Sequence, residues 1–139
     1  MVSIEQYESL LKKKLGLIQQ VYDNTQRQAK VIESEQYEDL VPLLETREEL
    51  MAQVDEVNTQ LLQTYSTKSD TETSLTLNQA IHQRLVQIDG LNKQNIALAE
   101  PAKQEIEKAF KHIQLGKKAV VNGYLKTQQT QGHRMDKKQ

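Results

Sequence analysis

The sequence predicts an all-α protein, an elongated antiparallel three-helix bundle with a short fourth C-terminal helix and a basic tail. Its 139 residues include nineteen Gln but only two Pro, five Gly, one Phe and no Trp, a composition that disfavours a β-sandwich or barrel. Apolar residues recur at steps of three and four, as they do on one face of a helix. Two polar breaks divide the pattern, so consecutive helices are expected to be antiparallel neighbours.

The first predicted helix covers about residues 3–32. Ser34, with acids after it, is expected to cap a second helix that continues to Tyr65. Pro42 either kinks this helix early or lies in the first turn of a helix that starts near Val41, because proline lacks the N–H that an interior position would use. The stripe of helix 1 consists of Ile4, Tyr7, Leu11, Leu15, Ile18, Tyr22, Thr25, Ala29 and Ile32. The stripe of helix 2 consists of Tyr37, Leu40, Val41, Leu44, Leu50, Met51, Val54, Val57, Leu61, Leu62 and Tyr65.

A Ser/Thr-rich stretch, 66–74, is predicted to be a loop. The third helix then follows a stripe from Leu77 to Ile113, with a bend expected at Pro101 and a stop at Gly116. This gives a helical bundle over 1–116. Residues 117–139 are expected to form the short C-terminal helix and a flexible basic tail.

A long parallel coiled coil is the competing architecture. Five residues of the first stripe are spaced seven apart, as in a heptad repeat. The breaks at residue 34 and at 66–74 argue against one continuous rod. The heptad positions are Ile4, Leu11, Ile18, Thr25 and Ile32.

Charge is distributed unevenly along the chain. Residues 1–110 hold 11 Lys or Arg against 18 Asp or Glu, whereas 111–139 hold 7 against 1. The basic tail has no interleaved aromatic residues, so we expect no nucleic-acid partner and consider the acidic body its nearer partner. No apolar run is long enough to span a bilayer, and cysteine is absent, so we expect a cytoplasmic protein with no membrane partner.

No pattern for catalysis, a cofactor or a metal is present in the sequence. His82, His112 and His133 are too far apart to form a metal-binding helix face. The glycines never cluster into a phosphate loop, and the segment 45–49, with its three Glu and Arg47, is interpreted as a solvated helix face. We therefore expect neither an enzyme nor a cofactor-binding protein.

The remaining candidate is an apolar surface on the third helix and beyond, suited to a partner helix. The alternative is that these side chains only close the bundle. Tyr124 lies where the acidic body meets the basic tail, so a helix there could cover an apolar groove or leave it, in which case deleting 117–139 should change partner affinity or oligomeric state. The candidate partner-binding residues are Leu91, Leu98, Ile106, Phe110, Ile113, Val120 and Tyr124.

Two segments resemble a known family. Residues 37–57, YEDLVPLLETREELMAQVDEV, are similar to the second helix of small flagellar type III export chaperones, in which a Leu-Leu pair, an Arg and further apolar pairs follow an acidic start. The matching positions are Leu43, Leu44, Arg47, Leu50 and Met51.

The end of the chain resembles the close of FliT-type chaperones, with its Gly-Lys-Lys-Ala at 116–119, its isolated Tyr124, its Gly132 and its Asp-Lys-Lys at 136–138. The related FlgN family shares the helix 2 pattern but less of this ending. An aromatic or aliphatic pair often precedes the Asp-Lys-Lys in the family, whereas His-Arg-Met stands at 133–135 here. The resemblance covers 37–57 and 85–139.

The resemblance implies a cytoplasmic chaperone that binds the C-terminal helical region of the filament-cap protein FliD, prevents premature assembly and delivers it to the export apparatus. In some members the C-terminal helix restrains binding to other partners. A client helix would lie along helix 3, with Gln94, Asn95 and Gln104 at the rim of the site. Two alternatives stay open, namely a FlgN-type chaperone for hook–filament junction proteins and a non-chaperone helical scaffold or regulatory coiled coil. A homodimer is possible in either case.

Overall fold

The computed structural model describes residues 3–111, and 93% of these are helical, with no strand among them. The all-α class is confirmed for this part of the chain. Three long helices are followed by a short one, and a 3₁₀ turn precedes each helix after the first. The helices are α1 (Ile4–Glu33), α2 (Leu40–Thr64), α3 (Glu72–Ala99) and α4 (Lys103–Lys111), and the 3₁₀ turns are Tyr37–Asp39, Thr67–Ser69 and Glu100–Ala102.

The start of α1 is fixed by a reciprocal capping box. The Ser3 hydroxyl accepts a hydrogen bond from the Gln6 amide N–H (3.0 Å), and the Gln6 side-chain oxygen accepts one from the Ser3 amide (3.1 Å). These two bonds satisfy donors that a helix N-terminus otherwise leaves open. The predicted bounds of helix 1 therefore agree with α1 to within a residue.

The turn after α1 differs from the prediction. Ser34 ends α1 instead of capping α2. Glu35 takes the left-handed conformation with φ 59°, its N–H bonds Ile32 O (3.1 Å), and the N–H of Gln36 bonds Val31 O (3.1 Å). This pair of bonds is a Schellman motif, which closes the last carbonyls of the helix. This turn is not evident from the sequence, because Glu35 occupies the left-handed position that Gly usually takes.

Pro42 lies in the first turn of α2, which begins at Leu40. The second of the two alternatives for this proline is therefore correct. In the first turn the backbone N–H has no helical acceptor, so proline removes no hydrogen bond there.

The turn between α2 and α3 is shorter than predicted and is tied to α1. Thr71 caps α3, since its hydroxyl oxygen accepts from the Ser74 N–H (3.0 Å). The same hydroxyl donates to the Glu8 carboxylate (2.6 Å). Tyr65 donates to Asp70 (2.9 Å) and its ring lies 5.7 Å from that of Tyr7. Contacts from three segments therefore fix this end of the molecule.

Pro101 interrupts the third helix as expected, through the 3₁₀ turn that separates α3 from α4. Beyond it, α4 lies against the Tyr37–Asp39 turn that precedes α2. The chain therefore covers the end of the molecule at which α1 and α2 are joined.

Helix α1 is the central element, because it packs against both α2 and α3, whereas the backbones of α2 and α3 stay further apart. The side-chain amide of Asn24 donates to Leu43 O at one end of the α1–α2 pair (2.9 Å), and Tyr7 meets Tyr65 at the other. These contacts make α1 and α2 run in opposite directions. Arg47 connects α2 with Asn92 of α3.

The buried apolar residues form two separate clusters. The lower cluster lies toward the α2–α3 turn and contains Tyr7, Leu11, Leu17, Ile18, Val21, Leu50, Met51, Val54, Val57, Leu61, Ile81, Leu85 and Ile88. The upper cluster lies toward the α1–α2 turn and contains Ile32, Leu40, Val41, Leu44, Ala99, Ile106 and Phe110. Four residues of the predicted stripes, Ile4, Leu62, Tyr65 and Leu98, are instead exposed.

Replacing Glu35 by Gly is expected to raise the free energy of unfolding by about 0.5–1 kcal/mol, because Gly adopts positive φ without a Cβ clash. Glu35→Gln is the matched control, since it removes the charge and keeps the Cβ. Urea denaturation of both variants measures the difference. An equal effect of Gln and Gly would assign the change to charge and contradict the argument from φ.

Tyr7 is 3% exposed, and burial raises the pKa of its hydroxyl. A hydrogen bond with Asn78 lowers that pKa and the nearby Asp70 charge raises it, with a net upward direction. A raised pKa in the folded state means that the neutral phenol is favoured by folding. The stabilisation is present below the unfolded pKa of about 10 and is lost as pH rises through the folded value.

Tyr7→Phe is therefore expected to reduce the loss of stability between about pH 9 and pH 11, because Phe has no proton to lose. Denaturant midpoints measured across this range for the wild type and the variant give the two slopes. Equal slopes would show that the Tyr7 hydroxyl does not contribute to the alkaline loss.

Candidate functional site

A layer of buried polar side chains lies between the two apolar clusters. All three long helices contribute to it, and each member is at least nine-tenths buried. The layer consists of Asn24, Thr25 and Gln28 from α1, Arg47 from α2, and Asn92 and Asn95 from α3. Buried polar groups are costly unless hydrogen-bonded, so their partners determine whether the layer is tolerated.

Hydrogen bonds within the layer connect the helices in pairs. The Gln28 amide donates to Asn24 Oδ1 (2.7 Å), while Asn24 itself donates across to Leu43 O of α2. The Asn95 amide donates to Thr25 O of α1 (3.0 Å). Three buried atoms have no hydrogen-bond partner, namely Gln28 Oε1, Asn92 Nδ2 and Asn95 Oδ1.

Arg47 is the one charged member of the layer, and its side chain is 1% exposed. Its Nη1 donates to Asn92 Oδ1 (3.1 Å). The interpretation of this segment as a solvated helix face is therefore wrong for Arg47. The guanidinium group of Arg47 stays protonated at any ordinary pH. Its burial therefore requires hydrogen-bond acceptors within the bundle.

The helical phase contained a signal for these residues. Arg47 falls three positions after Leu44 and three before Leu50, in step with the buried stripe of α2. Asn92 falls four positions after Ile88 and three before Asn95, in step with the buried stripe of α3. For these polar residues, the spacing along the helix is a better guide to burial than the residue type. Asn95 was expected at the rim of a client site and lies in the layer instead.

A groove of about 560 Å³ lies beside the upper cluster, between the end of α1, the first 3₁₀ turn and the bend at Pro101. Leu98 is one of its walls and is 40% exposed. Glu33, Glu35 and Glu105 give the groove an acidic rim. Its apolar lining consists of Ile32, Tyr37, Leu98, Pro101 and Ala102.

Four of the seven candidate partner-binding residues lie in the described part of the chain. Leu91 is half-buried and Leu98 is exposed in the groove, whereas Ile106 and Phe110 are 1% and 7% exposed within the upper cluster. For these last two, the burial favours the alternative in which they close the bundle. The other three candidates, Ile113, Val120 and Tyr124, lie outside the described residues, as does the predicted element 117–139.

A second groove, of about 570 Å³, lies between α1 and α3, and none of the candidate partner-binding residues lines it. Lys12 and Arg84 give it a basic character. The Arg84 guanidinium lies 4.3 Å from the centre of the Tyr22 ring and donates to Gln87 (2.9 Å). Its other lining residues are Leu15, Gly16, Gln19, Ala80 and Gln83.

Among residues 3–111, no three or more His, Asp or Glu side chains converge to hold a metal ion. No helix in this range is both long and apolar enough to cross a membrane. The features that distinguish this part of the chain are therefore the polar layer and the two grooves.

Comparison with known proteins returned no match to a family model, to a curated protein or to a solved structure.

Asn92→Ala is expected to lower the free energy of unfolding by about 1.5–3 kcal/mol, because it removes an acceptor from a buried charged donor. Gln94→Ala, an exposed change on the same helix, should stay within about 0.5 kcal/mol of the wild type. Urea denaturation measures both variants. An effect of Asn92→Ala no larger than that of the control would mean that the Arg47–Asn92 bond adds nothing to stability.

Proposed function

We propose that the chain is a cytoplasmic flagellar export chaperone of the FliT type, which binds the C-terminal helical region of the filament-cap protein FliD. It would keep this client unassembled and deliver it to the export apparatus. The observation that carries the proposal is the groove around Leu98, which is open to solvent and combines exposed apolar side chains with an acidic rim.

The proposal includes the finer architecture. The three long helices would form an elongated antiparallel bundle, while the short helix predicted within 117–139 lies outside the described residues. The antiparallel contacts between α1 and α2 and the packing of α4 against the Tyr37–Asp39 turn support this arrangement.

The groove is suited to an amphipathic helix. Apolar client side chains spaced three and four apart would contact Leu98, Tyr37 and Pro101, as in other helix-in-groove interfaces. The carboxylates of Glu33, Glu35 and Glu105 would repel acidic helices and favour a client helix with basic or neutral flanks. Selection among clients would therefore come from the rim and affinity from the apolar lining.

Such a chaperone needs no nucleotide or other energy source. A helix that self-associates through its apolar face cannot do so while that face lies in a groove. The equilibrium between free, bound and assembled client then depends only on relative affinities and concentrations.

Leu98→Asp is expected to weaken binding of the FliD C-terminal fragment from the same organism by about tenfold or more, because it places a charge against the apolar client face. Val86→Asp is the matched control, since Val86 is a 58% exposed residue on the same helix that does not line the groove. Calorimetric titration of the full chain with the fragment gives both affinities, and circular dichroism checks that the variants are folded.

Equal affinities for the Leu98 and Val86 variants would place the client elsewhere on the surface. Binding of hook–filament junction proteins in place of the FliD fragment would indicate a FlgN-type chaperone. A chain that binds none of these clients and forms a stable elongated oligomer would indicate the scaffold function.

A further inference from the structure

The two apolar clusters differ in size and do not touch through apolar contacts. The lower cluster has thirteen buried residues and the upper cluster has seven. The polar layer around Arg47 separates them. Since apolar burial is the main source of stability, an interruption in it divides the contacts that must break together when the bundle opens.

We infer that the polar layer divides the described body into two units that open separately, and that the upper unit opens first. The upper unit consists of the end of α1, the start of α2, the end of α3 and α4, held together by the upper cluster. The lower unit consists of the helix segments that carry the lower cluster. Opening of the upper unit leaves the lower cluster intact.

The composition of the boundary makes this opening inexpensive. If the boundary were apolar, separation would expose hydrocarbon to water. Here it exposes side-chain amides and the Arg47 guanidinium, and the unpartnered atoms Gln28 Oε1 and Asn95 Oδ1 gain water as a hydrogen-bond partner. The hydrogen bonds lost in the layer are replaced by bonds to water, which offsets most of the cost of breaking them.

The upper unit also has a weak closure. Helix α4, described over Lys103–Lys111, packs against the Tyr37–Asp39 turn. It is joined to α3 through the 3₁₀ turn at Pro101 and is held by two buried side chains, Ile106 and Phe110. Loss of their contacts uncovers the rest of the upper cluster.

This opening bears on the proposed function, on which the following step rests. Ile32 belongs both to the upper cluster and to the wall of the groove around Leu98. Opening therefore enlarges the apolar surface of that groove. An amphipathic client helix would bind the enlarged surface more tightly than the closed groove, and its binding would shift the population toward the open form.

Hydrogen exchange of the full chain, without any client, tests the two units. Val54→Ala weakens only the lower cluster, so it destabilises both the native state and the form whose upper unit is open. The amides of the lower unit are expected to exchange about tenfold faster or more in this variant, whereas the amides of Ile32 and Leu44 should change by less than about twofold. Equal acceleration in both regions would overturn the inference.

A second variant changes the boundary itself. Arg47→Met combined with Asn92→Leu replaces the hydrogen-bonded Arg47–Asn92 pair by apolar side chains of similar length and should join the two clusters. Amides of the upper unit are expected to slow toward the rates of the lower unit. Unchanged fast exchange in a folded double variant would show that the layer is not the boundary. If the double variant does not fold, the response to Val54→Ala decides.

Adding the FliD C-terminal fragment separates the two proposals. Separate opening without client, together with no effect of the fragment on the exchange of the Ile32 and Leu44 amides, would support the two units and contradict the chaperone function. Uniform opening of the bundle together with tight binding of the fragment would contradict the two units and support the chaperone function.

Discussion

Burial of the Arg47 guanidinium is the constraint on which the rest of the described structure depends. A group that cannot lose its charge must bring acceptors into the bundle, and Asn92 of α3 is one of them. Moving α3 by one residue would shift Asn92 by about 1.5 Å along the helix and turn it by about 100° around the axis. The bond to Arg47 would then be lost. The relative position of α2 and α3, whose backbones do not pack closely, is therefore set by a polar contact.

The layer as a whole supplies register more than stability. Apolar side chains at the same positions would be as stabilising or more so, because no charge would need to leave water. They would also pack acceptably after a shift by one turn, since leucine-like surfaces tolerate many alignments. The hydrogen bonds from Asn24 to Leu43 O and from Asn95 to Thr25 O each form in only one alignment of the helices. The cost is a core divided into two parts.

Periodicity in the sequence was sufficient to predict the helices but not the whole core. Spacing and proline chemistry predicted the bounds of α1 and the interruption at Pro101, and they left two alternatives for Pro42. Arg47 was assigned to the surface because it is charged, although its position matched the apolar stripe. The Schellman turn was missed because Glu35 gives no compositional sign of positive φ. Leu98 matched the predicted stripe yet is exposed, because the buried face of α3 passes through Asn92, Asn95 and Ala99 instead.

The two ends of the described body are built differently, and the difference explains where a binding site can lie. At the α2–α3 turn, the Glu8–Thr71 and Tyr65–Asp70 bonds and the Tyr7–Tyr65 contact tie three segments together. The opposite end has a left-handed Glu35, a proline-containing turn and helix α4 resting on a small cluster. Local irregularity of this kind is costly for stability and is found where a surface must adapt to a partner. The exposed Leu98 lies at this second end. The groove and the weakest packing therefore coincide, so a partner that binds there meets the part of the bundle that needs the least free energy to rearrange.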